Sequence, residues 1–251
     1  MNQAQPVIVL THVRSGGTML MEALSNHPDI FAPRGEVLLP AGSFKQHLDT
    51  DDLSIIKALT TLEMYRYAAV KVQWHQLTDD IMGYLHEEKP LVIVLCRRNL
   101  LRVAVSGLLA GRTGRHHHTR DHENNLAPAN LQVSHIMSLM KRLKERQDEM
   151  LEFVDNYDGN RLYFNYDELV GAEGNEITEL PLNAIFKLCA FLDLETRTFP
   201  VKFRKVTRRP IAQLVPDWAT LQYVVKHSEF VGCLQDEEEY ERQYANSHTN
   251  S

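Results

Sequence analysis

Leu10 to Met19 reads L-T-H-V-R-S-G-G-T-M. It follows an apolar, β-prone run, Val7-Ile8-Val9-Leu10, and precedes a helix-compatible stretch, Leu20-Met21-Glu22-Ala23-Leu24. The order is strand, glycine-bearing loop, helix. Such a loop can turn several backbone N–H groups toward one point, and the helix N-terminus adds partial positive charge. The expected result is a cradle for a phosphate-like anion, with Gly16 and Gly17 keeping Cβ atoms out of the ligand's way. The Gly-Lys-Ser/Thr ending of a Walker A loop is missing, and Arg14 stands before the glycines instead, so an ATPase or GTPase is not the first reading. A plain βα turn also carries glycines, so the choice needs a second motif.

Leu91 to Cys96, L-V-I-V-L-C, supplies it. Six apolar residues after Pro90 read as a strand buried on both faces of a parallel sheet. Arg97, Arg98 and Asn99 follow at its carboxyl end, where open α/β sheets bind ligands. A helix-compatible run then carries Ser106. Eight fully helical residues would separate Arg98 from Ser106 by about 12 Å. The two can share one phosphate only if the first residues after Arg98 are loop.

R-S-G-G-T-M-L (14–20) followed by R-R-N-L-L-R-V-A-V-S (97–106) resembles the sulfotransferases that use 3′-phosphoadenosine 5′-phosphosulfate, PAPS. The likeness extends toward the bacterial glycolipid and nodulation-factor type of carbohydrate sulfotransferase. It includes G-E-V-L (35–38), V-K-V-Q-W-H (70–75), Y-F-N-Y-D-E-L (163–169) and T-R-R-P-I-A-Q-L (207–214), in order across nearly the whole chain. The resemblance implies an α/β fold, a P-loop-like three-layer sandwich with a central, mostly parallel sheet flanked by helices. It implies a single sulfotransferase domain over residues 1–251 and transfer of a sulfuryl group from PAPS to an acceptor hydroxyl, as on a carbohydrate or glycolipid. The loop of Arg14, Ser15, Gly16, Gly17, Thr18 and Met19 would hold the 5′-phosphosulfate. Arg98 and Ser106 would hold the 3′-phosphate, with Arg208 and Arg209 of the basic segment as further donor contacts. Two departures stand out: many relatives have Ser or Thr where Gly17 stands, and an aromatic residue near His116, where this chain has T-G-R-H-H-H.

Within that resemblance Arg14 is the expected stabiliser of charge on the bridging oxygen, because a guanidinium stays protonated and cannot act as an acid. Glu36 is the first choice for the base that takes the acceptor's proton, matching the acidic residue relatives place near the acceptor. His75 is the second, since histidine is well tuned for the task and follows a candidate strand end. His12 is the third. His116, His117 and His118 read as a substrate-contacting loop rather than a metal site, since three adjacent histidines cannot all point inward. A non-catalytic PAPS-binding protein on the same fold and a small-molecule kinase remain as alternatives.

Composition is normal for a soluble globular protein, and its local basic residues suit a small anionic ligand. The 251 residues suffice for one α/β domain. The net charge of −6 gives no global attraction to nucleic acid or acidic membranes. Basic residues cluster locally, around 97–120 and 202–209. The three cysteines have no metal-ligand spacing. No apolar run approaches membrane-spanning length, and M-N-Q-A-Q-P lacks signal-peptide character. The expectation is a cytoplasmic protein with a small-molecule or glycan acceptor, no nucleic-acid partner and no stable membrane insertion; a homodimer stays open. Further expected elements are helices over 51–67, 77–88, 130–154 and 182–192, strands over 70–73 and 161–166, a polar loop over 111–129, a helix after Pro216 and a solvated acidic end over 235–241.

Overall fold

Strand β1 (Gln5–Thr11) leads through a loop into helix α1 (Gly17–Ser25), as the opening motif predicts. Then come β2 (Ile30–Phe31), α2 (Asp52–Thr60), β3 (Tyr67–Gln73), a single 3-10 turn (Trp74–Gln76) and α3 (Asp79–Glu88). The chain continues through β4 (Leu91–Cys96), α4 (Leu100–Thr113), α5 (Val133–Asp155), β5 (Arg161–Asn165) and α6 (Tyr166–Val170). It ends with β6 (Glu176–Glu179), α7 (Leu182–Phe191), β7 (Pro200–Arg204), α8 (Ile211–Leu214), α9 (Trp218–Lys226) and α10 (Gly232–Thr249). The computed structural model describes residues 3–33, 37–38, 51–113, 131–170, 176–204 and 209–249. Most of the polar loop expected over 111–129, with His116, His117 and His118, lies outside them.

The chain divides into two compact units. The first comprises Met1–Cys96, Glu149–Ala172 and Ile177–Lys202. It holds a five-stranded sheet of order β2-β3-β1-β4-β5, parallel throughout. The central strands are apolar on both faces because both faces are covered. Ile8, Leu10, Val70, Val72, Val92 and Val94 point to one face and share a core with Ile56 of α2, Ile81 and Leu85 of α3, and Met150 and Val154 of α5. The alternate residues point to the other face, where Val9 lies opposite Lys71 and Ile93 and where α1 begins against Thr11 and Lys71. Helix, sheet and helix make the three layers expected. From β1 the chain passes to β3 on one side and later to β4 on the other, so its order reverses between β1 and β4. The carboxyl ends at such a reversal are where open α/β sheets take ligands. β6 and β7 form a separate two-stranded sheet.

The second unit comprises Arg97–Asp148, Glu173–Glu176 and Phe203–Ser251. It contains α4, the first part of α5, and α8 to α10. Asn99 opens α4: its side-chain oxygen accepts the Arg102 N–H at 2.9 Å, and its carbonyl accepts the Val103 N–H.

Four expectations need correction. The helix expected over 51–67 ends at Thr60, and Tyr67 is already in β3. Tyr67 pairs with Gln5 and Ile30 across the sheet, a tertiary preference that local periodicity does not carry. Residues 111–113, expected to begin the polar loop, continue α4 as its last turn; a run of hydrogen bonds already under way carries polar residues and a glycine into the helix at little cost. Residue 166 leaves the expected strand and starts α6. The acidic end is not wholly solvated: Glu237 is 1% exposed and pairs with Arg102.

Candidate functional site

The loop between β1 and α1 has a backbone of alternating hand. Arg14 takes φ 59° and Gly16 φ 92°, while Ser15 and Gly17 stay on the ordinary side. Successive N–H groups in such an alternation converge on one point and form an anion-binding concavity. Arg14 bears a side chain in the left-handed region, which costs roughly 1–2 kcal/mol; strain of that kind gathers where a ligand is gripped. Side chains hold the loop in place. The buried Ser15 hydroxyl donates to the His12 carbonyl at 2.5 Å, and the Thr11 hydroxyl to the same oxygen at 3.0 Å. Ser15 therefore offers a ligand its N–H, with its hydroxyl tied to the loop.

Helix α1 has Gly16 as its N-cap, without a side-chain capping bond. The first-turn N–H groups of Gly17, Thr18 and Met19 precede any carbonyl within the helix that could accept them. Met19 is 0% exposed, its side chain packed into the core. It can serve an anion only through its backbone.

The glycines also answer to the protein around them. A Cβ on Gly17 would stand 2.9 Å from Lys71 Cδ and 3.0 Å from Thr11 Cγ2. A Cβ on Gly16 would stand 2.8 Å from a ring carbon of Tyr166. At both positions protein side chains stand where a Cβ would lie. Gly17 in particular leaves a channel for the Lys71 side chain. That lysine is 4% exposed, in the middle of β3, and its Nζ donates to the Thr18 hydroxyl at 3.2 Å. Thr18 keeps its own hydroxyl hydrogen for a further acceptor. The site thus holds a buried cation that the sequence reading does not single out, although V-K-V-Q-W-H is among its motifs. The signal is there: one lysine in an otherwise apolar strand interior.

Gly17→Ser is therefore expected to destabilise the fold by about 1–3 kcal/mol through overpacking. Combining it with Lys71→Ala should recover most of that loss. A thermal-unfolding double-mutant cycle measures the coupling, and simple additivity would show that the two side chains do not compete for the space.

Of the other expected residues, His75 lies in the 3-10 turn directly after β3 and is exposed. Its neighbour Trp74 donates its indole N–H to Glu149 at 3.2 Å and sits 5.7 Å from the Phe153 ring. Glu36 lies outside the described residues. Val37 and Leu38, which follow it, are buried in the same apolar core against which Trp74 packs. His12 is 6% exposed, at the end of β1.

In the second unit, Arg98 is exposed and precedes α4, while Ser106 lies on α4 and is 3% exposed. The helix begins only at Leu100. The condition set by the sequence is met in part: about 9 Å of helix rise remains between Leu100 and Ser106. Arg209 is half-buried, and Arg208 lies outside the described residues. Among the described residues, no group of three or more His, Cys, Asp or Glu is placed to hold a metal ion, and no helix is long and apolar enough to cross a membrane.

No protein-family model matches the sequence, and no curated protein matches it. Solved structures do match. The sulfotransferase from Alicyclobacillus acidocaldarius is 15% identical with a TM-score of 0.53, over 92% of this chain and 99% of that one. The sulfotransferase domains of the curacin biosynthetic pathway and of the Synechococcus PCC 7002 olefin synthase are each 16% identical with TM-scores of 0.46. Each of these two matches covers 78% of this chain and 76% of the other. With its parallel five-stranded sheet flanked by helices, this chain has the α/β fold of the Alicyclobacillus enzyme.

Proposed function

We propose that this chain is a PAPS-dependent sulfotransferase that moves a sulfuryl group to an acceptor hydroxyl of a carbohydrate or glycolipid. The observation that carries the reading is the loop at the carboxyl end of β1. There, alternating backbone hand, a helix N-terminus and a buried lysine converge on Thr18. That donor set fits a doubly charged phosphosulfate and needs no metal ligand. The N–H groups from Ser15 to Met19 and the Thr18 hydroxyl would hold the 5′-phosphate. Arg98 and Ser106 would hold the 3′-phosphate, with Arg208 and Arg209 as further donor contacts.

In the transfer the acceptor oxygen forms a bond to sulfur, the bond from sulfur to the bridging phosphate oxygen breaks, and the acceptor's proton passes to a base. By analogy with phosphoryl transfer the transition state is loose, so positioning and charge stabilisation supply most of the acceleration. Lys71 and Arg14 are the cations suited to the negative charge that gathers on the bridging oxygen. Glu36, with His75 as the runner-up, would take the proton.

The donor assignment is tested by ligand-induced thermal shift and calorimetry. The product nucleotide, 3′-phosphoadenosine 5′-phosphate (PAP), should raise the melting temperature well beyond 5′-AMP. Arg98→Ala should weaken PAP binding by about one to two orders of magnitude, since hydrogen bonds to charged groups are worth roughly 1.5–3 kcal/mol, and should leave AMP nearly unaffected. Equal shifts from the two nucleotides would remove the 3′-phosphate from the reading. Sulfation of candidate acceptors with ³⁵S-labelled PAPS then tests the reaction itself.

A further inference from the structure

Glu237 stands in the run Q-D-E-E-E-Y-E (235–241) on α10 and yet is 1% exposed. Its Oε1 accepts from two directions: Arg102 Nη2 at 2.5 Å and the Ile211 N–H at 3.1 Å. Arg102 is itself 4% exposed, and its guanidinium lies 3.4 Å from the centroid of the Tyr240 ring, also on α10. One carboxylate therefore ties together the first turn of α4, the start of α8 and α10, all within the second unit. Burial raises the carboxyl's pKa, and the Arg102 charge works against that rise.

A buried ion pair contributes little net stability compared with apolar side chains of the same volume, because desolvation offsets the attraction. Its distinctive effect is geometric, since charge-assisted bonds tolerate little displacement. The geometry held here is specific. Arg102 lies four residues after Arg98 and four before Ser106, and its own N–H is bound by the Asn99 cap. Ile211 lies two residues after Arg209. Residues read as donor contacts thus flank both ends of the tie along the chain: Arg98 and Ser106 for the 3′-phosphate at one end, and Arg209 as a further contact at the other. Arg102, its guanidinium engaged by Glu237 and stacked on Tyr240, differs from Arg98, which is exposed.

We propose that Glu237 is a positioning residue for the 3′-phosphate subsite, acting through Arg102 and Ile211 to hold α4 and the segment carrying Arg209 in their binding arrangement. The proposal rests on the reading of Arg98 and Ser106 as 3′-phosphate contacts. Glu237 touches no ligand in this scheme.

The test uses the whole protein and two nucleotides, PAP and 5′-AMP, which differ in the 3′-phosphate. The double variant Arg102→Met/Glu237→Leu replaces the pair with apolar side chains and should keep a melting temperature close to that of the parent. Its Kd for PAP should rise between about threefold and thirtyfold, with its Kd for AMP unchanged. Glu237→Gln keeps the shape and an acceptor for the Ile211 N–H, and should fall between the parent and the double variant. A folded double variant that binds PAP as the parent does overturns the proposal. So does an equal loss for both nucleotides, which would mark Glu237 as merely structural. Should the double variant not fold, Glu237→Gln decides alone: an unchanged ratio of PAP to AMP affinity overturns the proposal. If instead the parent protein fails to prefer PAP over AMP, the underlying donor reading fails, and that result is seen before any variant is made.

Discussion

Lys71→Met is expected to lower sulfuryl-transfer turnover by about a hundredfold to a thousandfold, the loss seen when one preorganised stabiliser of transition-state charge is removed. The substitution keeps an unbranched stem beside Gly17 and Thr11, so the space that Gly17 leaves open stays filled. What disappears is the ammonium whose Nζ lies 3.2 Å from the Thr18 hydroxyl. The loop's N–H groups remain in place, and they are the main ground-state contacts of the 5′-phosphate in the proposed scheme. PAP affinity should therefore fall much less than turnover, the pattern of a group that acts mostly on charge developing in the transition state. Steady-state kinetics with labelled PAPS and calorimetry with PAP separate the two effects. Arg14→Ala is the comparison. Normal turnover in Lys71→Met beside a large loss in Arg14→Ala would give the bridging-oxygen role to Arg14 alone.

Lys71 also marks where sequence reading runs short. β1 and β4 are legible because strands covered on both faces become unbroken apolar runs, and both appear where Val7–Leu10 and Leu91–Cys96 predict them. The loop and the start of α1 are legible because the glycines stand between an apolar strand run and a helix-compatible stretch. β3 is legible only in its second half. Tyr67, Ala68 and Ala69 carry no strong strand signal and are recruited by pairing with β1 and β2. The two-residue β2 exists only through such pairing. Side-chain placement across strands is harder still. That Lys71 faces α1 depends on its register opposite Val9, which no local pattern encodes. Glu237 is hidden for a related reason. Within five consecutive acidic or polar residues, nothing local distinguishes the Glu237 carboxylate, which pairs with Arg102 more than 130 residues away in the chain.

The proton acceptor is where a second large effect is expected. Glu36→Gln should bind PAP almost as the parent does and lose roughly two or more orders of magnitude in turnover, the usual range for a positioned general base. The substitution keeps the size of the side chain and removes its basicity. Glu36 itself lies outside the described residues, but its surroundings bear on the choice. Val37 and Leu38 are 4% and 2% exposed, locked into the core on one face of the sheet, and Trp74 packs against that same core one residue before His75. Val37, Leu38 and Trp74 thus belong to one apolar cluster in the first unit, the unit that also contains the anion loop. His75 lies exposed on its 3-10 turn, and a base must be placed within hydrogen-bond reach of one proton. With Glu36 as the base, His75→Ala should raise KM more than it lowers kcat. If Glu36→Gln keeps its turnover while folded His75→Ala loses it, the base is His75. A hundredfold loss in each single variant, with no further loss in the double, would mean that the two act as one unit on the acceptor's proton.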